Sequence, residues 1–307
     1  MGLIRVLEAV LPVFMVIALG YLFGRKQWIS TAAVDGMKQF VVNITLPAVL
    51  FSAFYTATYD RTILACSAVM FCACVLGLLC GWLLRKMLRG HQPMLPFLTT
   101  GFEAGMLGYA LYLVLFGENQ INNFAMLDFG HTLFVFTVYV GLLNGKTGKS
   151  IQTTLRSTFR SPVLLAMLLG VLVGVTGLGT RVAHSAWGGI VEAMLSFIKA
   201  PTACVILFVI GCQMRLSRST MNRAAVSVAL RVLVTACLCV VSIWAIGLLA
   251  PMTRALKFAI ILMFSLPAPF ILPIYVQEPE EQAVLSTALS LNTLFSIAAF
   301  AIISIFA

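Results

Sequence analysis

The polar positions of this chain fall in short clusters between long apolar runs. Runs of about 20 mostly apolar residues read as membrane-spanning helices. Ten fall near residues 3–24, 36–56, 62–84, 95–116, 123–144, 161–178, 189–212, 224–249, 255–277 and 282–306. No stretch between them is long enough for a soluble domain. The pattern predicts an all-α polytopic membrane protein, residues 1–307 forming one membrane domain.

Two of the runs are interrupted. Ser265–Glu281 reads SLPAPFILPIYVQEPEE, with Pro267, Pro269 and Pro273 inside span 9. Each proline removes a backbone donor and costs about 3 kcal/mol or more in a helix interior. Span 4, TTGFEAGMLGYALYLVLFG at 99–117, is punctured by glycines instead. The halves echo each other: Gly130-His131-Thr132-Leu133-Phe134 lies opposite Leu291-Asn292-Thr293-Leu294-Phe295 at an offset of 161, which also sets Met106 and Gly108 opposite Pro267 and Pro269. Five spans per half make the second half run opposite to the first, as an inverted repeat of 1–150 and 151–307. Paired Gly- or Pro-interrupted spans in such folds point to a binding site near the midplane. Non-helical backbone at that depth survives where protein buries it or it lines a wet cavity. Spans 4 and 9 are therefore expected to be unwound at their centres and to cross, with half-helix N-termini turned to the crossing.

Charge adds topology. The 307 residues are 61% hydrophobic and 10% charged, with a net charge of +10; soluble domains carry about 25% charged residues. One side of a ten-span chain collects Arg25, Lys26, Lys38, Arg85, Lys86, Arg89, Lys146, Lys149, Arg156, Arg160, Arg215, Arg218 and Arg223. The other holds Arg5, Arg61, Arg181, Arg254 and Lys257. This positive-inside bias predicts a multi-pass protein of the cell membrane with both termini non-cytoplasmic. It replaces nucleic acid with membrane lipid as the partner of the basic residues. The first run reads as a span instead of a cleaved signal, since Arg25-Lys26 follows it and no small-residue cleavage site intervenes. Residue six is Val, which does not fit a myristoylation signal. The eight cysteines all fall inside spans and read as small apolar fillers.

The stretch Val42-Asn43-Ile44-Thr45-Leu46-Pro47-Ala48-Val49-Leu50-Phe51, the glycine-rich Thr100–Gly117 and Leu266-Pro267-Ala268 resemble the auxin efflux carrier family, including its bacterial members. The resemblance implies ten helices in two inverted five-helix repeats. Spans 1, 2, 6 and 7 would form a scaffold, and spans 3–5 and 8–10 a mobile crossover domain. It further implies a secondary carrier of small organic anions and a homodimer through the scaffold. The chain departs from the plant members in lacking a long loop after span 5 and in placing Glu103 where a neutral residue is expected. Auxin itself is not the expected substrate.

Ionisable residues at membrane depth cost roughly 2.5–3.5 kcal/mol each and are functional candidates by default. Asp128 and His131 stand at i and i+3 on one face of span 5. They read equally as carriers of a coupling proton and as a structural hydrogen bond to the unwound part of span 4. Glu103 could take a proton or cation, or cap the half-helix beginning near Gly105. Lys199, just before Pro201, could attract an anion, pair with Glu103 or Asp128, or snorkel to the surface. Arg231 reads as a snorkelling residue, and Glu278, Glu280 and Glu281 as a solvated turn. The candidate substrate contacts are Asn43, Pro47, Gly105, Gly108, Lys199, Pro267, Pro269 and Asn292. The candidate ion-coupling residues are Glu103, Asp128 and His131, with a proton or sodium ion as the coupling species.

There is no HExxH, GxSxG or Walker A motif, so no enzyme is expected, nor a cofactor or metal. The expected function is secondary transport of a small organic anion, a carboxylate, by alternating access with proton coupling. Two alternatives remain open: a cation/proton antiporter on a similar inverted-repeat fold, and a non-transporting membrane sensor.

Overall fold

The computed structural model describes residues 3–57, 61–88, 92–147, 160–276 and 278–306. Arg89, Lys149, Arg156 and the expected repeat boundary at 150/151 lie outside the described residues. Every regular element among the described residues is helical. Six helical segments are long and apolar enough to cross a membrane: Thr31–Tyr55, Arg61–Met87, Glu118–Asn144, Gly188–Gln213, Met221–Leu249 and Pro279–Phe306. Ala104–Phe116 and Pro162–Val175 are shorter apolar helices.

The elements in chain order are α1 (Leu3–Lys26), α2 (Thr31–Phe40), α3 (Leu46–Tyr55), α4 (Arg61–Met87), α5 (Leu95–Leu98), α6 (Tyr109–Phe116), α7 (Ile121–Phe134) and α8 (Val140–Thr147). There follow α9 (Pro162–Val175), α10 (Leu178–Ala183), α11 (Gly188–Lys199), α12 (Thr202–Gln213), α13 (Met221–Leu249), α14 (Arg254–Ser265) and α15 (Pro279–Phe306). π-helical stretches at Val41–Thr45 and Val135–Tyr139 join α2 to α3 and α7 to α8. Local signals set several ends. Ser30 Oγ accepts from Ala33 N–H at 3.2 Å to start α2, and Thr253 Oγ1 accepts from Leu256 N–H at 3.1 Å to start α14. Arg25 and Lys26 fall in the last turn of α1, where cations suit the helix dipole.

The outer surface is apolar. Leu64, Leu83, Leu172, Phe197, Leu233, Val240, Trp244 and Leu248 are all exposed. Such a surface would drive a soluble protein to aggregate; facing acyl chains it costs nothing.

Small residues bring helix backbones together, as lipid-embedded packing requires where no hydrophobic drive separates helix from tail. α1 packs on α12, where a Cβ on Gly20 would strike the Phe208 carbonyl and one on Gly211 the Ile17 carbonyl. α9 packs on α3 through Gly170, where an added Cβ would lie 3.0 Å from the Phe51 carbonyl oxygen. α4 packs on α7, where Gly130 lies against the Ser67 carbonyl and Ser67 Oγ donates to the Met126 carbonyl at 2.9 Å. α13 packs on α15, α4 and α14.

Of the acidic residues after span 9, Glu278 and Glu280 are exposed as expected, whereas Glu281 is largely covered. Glu280 and Glu281 form the first turn of α15 and both bind Arg223 near the start of α13, Glu280 at 2.8 Å. The physical reason is the helix dipole: carboxylates are favoured at a helix N-terminus, and a cation from the next helix closes the pair.

Candidate functional site

Both expected interruptions are present, and they touch. The first runs over Thr99–Glu103, between α5 and a π-helical turn at Ala104–Gly108 that leads into α6. The second runs over Leu266–Ile271, between α14 and a 3-10 turn at Leu272–Tyr275. Glu103 N–H donates to the Pro267 carbonyl at 2.8 Å. In return the Glu103 carboxylate accepts from Phe270 N–H at 2.7 Å. The prolines suit this segment because residues 267 and 269 have no N–H to satisfy. Glycine is required at 101, where φ is +68° and a Cβ would crowd the Pro269 and Tyr139 side chains at 3.1–3.2 Å. Glu103 thus ties together the two breaks instead of capping its own half-helix.

Side-chain hydrogen bonds tie the first break to its neighbours in both directions, from its own threonines to α4 and from Tyr139 to the end of α5. Thr99 Oγ1 donates to the Gly77 carbonyl at 3.0 Å, Thr100 Oγ1 to the Cys74 carbonyl at 2.6 Å, and Tyr139 OH to the Phe97 carbonyl at 2.9 Å. The expectation that Arg231 snorkels is overturned. It is 2% exposed, and its guanidinium donates to the carbonyls of Leu98, Thr100 (3.5 Å), Gly101 (2.8 Å) and Leu266 (2.9 Å). It also lies 5.1 Å from the centroid of the Phe102 ring. The Leu98 and Leu266 carbonyls are free because the amides four residues on, those of Phe102 and Phe270, are turned to His131 and Glu103 instead. An acceptor-free, many-donor cation is the group that fits. Position 231 is ten residues into α13, about 15 Å from its start at 1.5 Å per residue. That depth is the sequence signal for an interior role.

Asp128 and His131 join the first break directly. Phe102 N–H donates to His131 Nε2 at 2.9 Å, so that nitrogen carries no proton. The proton then sits on Nδ1, which donates to Asp128 Oδ1 at 3.0 Å; Thr132 Oγ1 adds a bond to the same oxygen at 3.3 Å. Both residues are buried. The pair is thus hydrogen-bonded into the unwound part of span 4, and a proton added to Nε2 would cost the Phe102 bond.

The remaining candidates divide into two groups. Gly108 packs against Phe124 and Leu266, a Cβ added to Gly105 would lie 3.3 Å from the Leu46 side chain, and Pro267 and Pro269 line the second break. Asn292 is buried on α15, and its carbonyl accepts from Ser296 Oγ, which also bonds the Ser265 carbonyl beside the second break. Asn43 is exposed on the Val41–Thr45 turn, with Pro47 half-buried one turn on. Lys199 stands elsewhere. Its ammonium binds Glu118 and Ser52 at 2.9 Å each, with Glu192 at 3.6 Å, not Glu103 or Asp128. These groups, with Tyr55, Asn119 and Asn122, line a cavity of about 530 Å³. Two further polar groups escaped sequence reasoning: the buried hydroxyls of Thr45 and Thr202 have no hydrogen-bond partner among the described residues.

No curated protein matches the chain. Residues 5–151, which include most of α1, the first interruption and the Asp128–His131 pair, match the family model described as membrane transport protein. Arg231 and the second interruption lie beyond the matched residues. The match agrees with the six helical segments long and apolar enough to cross a membrane, three of which lie within it. Over this segment, just under half of its length, the chain is similar to the auxin efflux carrier family of membrane transport proteins.

Proposed function

We propose that the protein is a secondary active transporter of a small organic anion, a carboxylate, working by alternating access with proton coupling. The observation that carries this reading is the meeting of the two interruptions, Glu103 N–H on the Pro267 carbonyl and Phe270 N–H on the Glu103 carboxylate. Broken spans that meet inside the protein present free backbone ends to a small ligand, and half-helix N-termini suit a carboxylate. The substrate contacts are Asn43, Pro47, Gly105, Gly108, Pro267, Pro269 and Asn292. The unpartnered hydroxyls of Thr45 and Thr202 add donors on the scaffold side. Lys199 in its cavity meets the anion on its way in.

The packing supports ten spans in two inverted repeats. α1 packs on α12 and α9 on α3, an exchange of first and second spans between halves. α4 packs on α7 and α13 on α15, the third span on the fifth within each half. The first set would be the scaffold and the second, with the breaks, the moving part. Both termini then lie on the non-cytoplasmic side, and a homodimer through the scaffold fits the same arrangement.

Asp128 and His131 would carry the proton. Protonation of His131 Nε2 ejects the Phe102 amide and loosens the first break, which links proton occupancy to the shape of the site. The test is uptake of labelled small carboxylates into proteoliposomes with and without an imposed pH gradient. Gradient-stimulated uptake of an acid supports the proposal. Sodium- or potassium-dependent proton movement without acid uptake would overturn it in favour of an antiporter. Acid binding without flux would favour a sensor.

A further inference from the structure

The Arg231 guanidinium sits among four backbone carbonyls drawn from both interruptions: Leu98, Thr100 and Gly101 from the first, Leu266 from the second. Its two terminal nitrogens carry four N–H donors, and each nitrogen serves two carbonyls. Among the described residues no carboxylate lies within ion-pair distance of it. The charge is therefore balanced by carbonyl dipoles and the face of the Phe102 ring at 5.1 Å. Clustered carbonyls from unwound backbone are the ligand set with which broken-helix carriers hold a free sodium ion. Carbonyl oxygens can replace the hydration shell of a monovalent cation.

We propose that Arg231 is a tethered cation filling this carbonyl cage, so that the two interruptions are held together without a bound free monovalent ion. A side chain anchored on α13 cannot leave with the substrate. The cage then contributes no ion to the transport cycle, and any coupling ion must act elsewhere, as a proton on the Asp128–His131 pair would. The cage adjoins the site proposed for transport, but its occupancy is read out as stability. Its test therefore succeeds or fails separately from any flux measurement.

The experiment is thermal unfolding of the purified full chain in detergent, in sodium chloride against N-methylglucamine chloride at equal ionic strength. The wild-type midpoint is expected to be the same in both. Arg231→Ala is expected to unfold several degrees lower in N-methylglucamine and to recover part of the loss with millimolar sodium or methylguanidinium, which can enter the vacated cage. Arg231→Lys keeps a tethered cation and is expected to show a smaller loss and no response to added cation. This variant keeps the test open if Arg231→Ala does not fold. Three results would each overturn the proposal: an Arg231→Ala midpoint equal to wild type, an Arg231→Ala midpoint unmoved by both cations, or an Arg231→Lys midpoint as sodium-responsive as that of a cage left empty.

Discussion

The Glu103 carboxylate accepts a 2.7 Å hydrogen bond from the backbone N–H of Phe270, 167 residues further along the chain. The bond joins the glycine-rich break to the proline-rich one, and with the return bond from Glu103 N–H to the Pro267 carbonyl it fixes their register. A donor at membrane depth has no water to fall back on. Removing the acceptor is therefore expensive, whereas removing only its charge is not.

Glu103→Ala is accordingly expected to lower stability by about 1–3 kcal/mol, the cost of leaving the Phe270 amide unpaired. Glu103→Gln keeps an oxygen acceptor and should lose less than half of that. Thermal unfolding of the purified variants checks the ordering. If Glu103→Gln also abolishes pH-gradient stimulation of transport while staying folded, the carboxylate takes part in coupling as well as in holding the breaks.

Asp128→Asn leaves an oxygen that can accept from His131 Nδ1, so the tautomer and the Phe102 bond persist. Its predicted effect is on coupling: uptake continues, but stimulation by an imposed pH gradient falls by roughly tenfold or more, a factor that corresponds to about 1.4 kcal/mol. His131→Ala strips the Phe102 amide of its acceptor and should lower the unfolding midpoint as well. Paired uptake and unfolding measurements separate the two.

Lys199 offers a different signature because its partners Glu118 and Glu192 are each about half exposed and can return to solvent. Lys199→Ala is expected to raise the half-saturating acid concentration roughly fivefold, near 1 kcal/mol, with little change in maximal rate. A fall in maximal rate with unchanged half-saturation would place Lys199 in the moving step instead of the approach.

Two glycines give opposite expectations for one methyl group. A Cβ at Gly211 would collide with the Ile17 carbonyl and lies 2.8 Å from Tyr21 N, backbone atoms that cannot yield cheaply. Gly211→Ala should cost about 1–3 kcal/mol by forcing α1 and α12 apart. Gly36, inside α2, has nothing within 4 Å of the added atom, so Gly36→Ala should stabilise by about 0.5–1 kcal/mol through backbone entropy. Unfolding midpoints of the two variants decide this.

Much of this site is legible in the amino-acid sequence, for physical reasons. Helix breakers in a bilayer are too costly to be idle, so Pro267, Pro269 and the glycines of 101–108 announce both interruptions. Asp128 and His131 can be paired from their i, i+3 spacing, and Phe102 as the third partner cannot, because that bond is a backbone amide from another element. Arg231 misleads for the opposite reason. A long cation a few turns into a helix has a known escape to the interface, and the carbonyls that hold it instead exist only once two distant segments have been brought together. Lys199 is similar: Glu118 and Glu192 approach it from segments whose placement follows from helix packing. The start of α15 has the same limit, since Glu280 and Glu281 acquire their meaning from Arg223 across the helix pair.

The central claim is that the substrate sits where the two interruptions meet. Gly105, part-exposed and facing only the Leu46 side chain, can carry a reporter there. The measurement is the rate at which a water-soluble thiol reagent modifies Gly105→Cys, in a background whose exposed cysteines Cys72, Cys204 and Cys237 are replaced by serine. It is made with and without a saturating concentration of an acid that the same protein takes up. The account predicts severalfold slower modification in the acid, lost again when Pro267 and Pro269 are both replaced by alanine. Modification at the same rate with the transported acid present would place its site elsewhere and contradict the account.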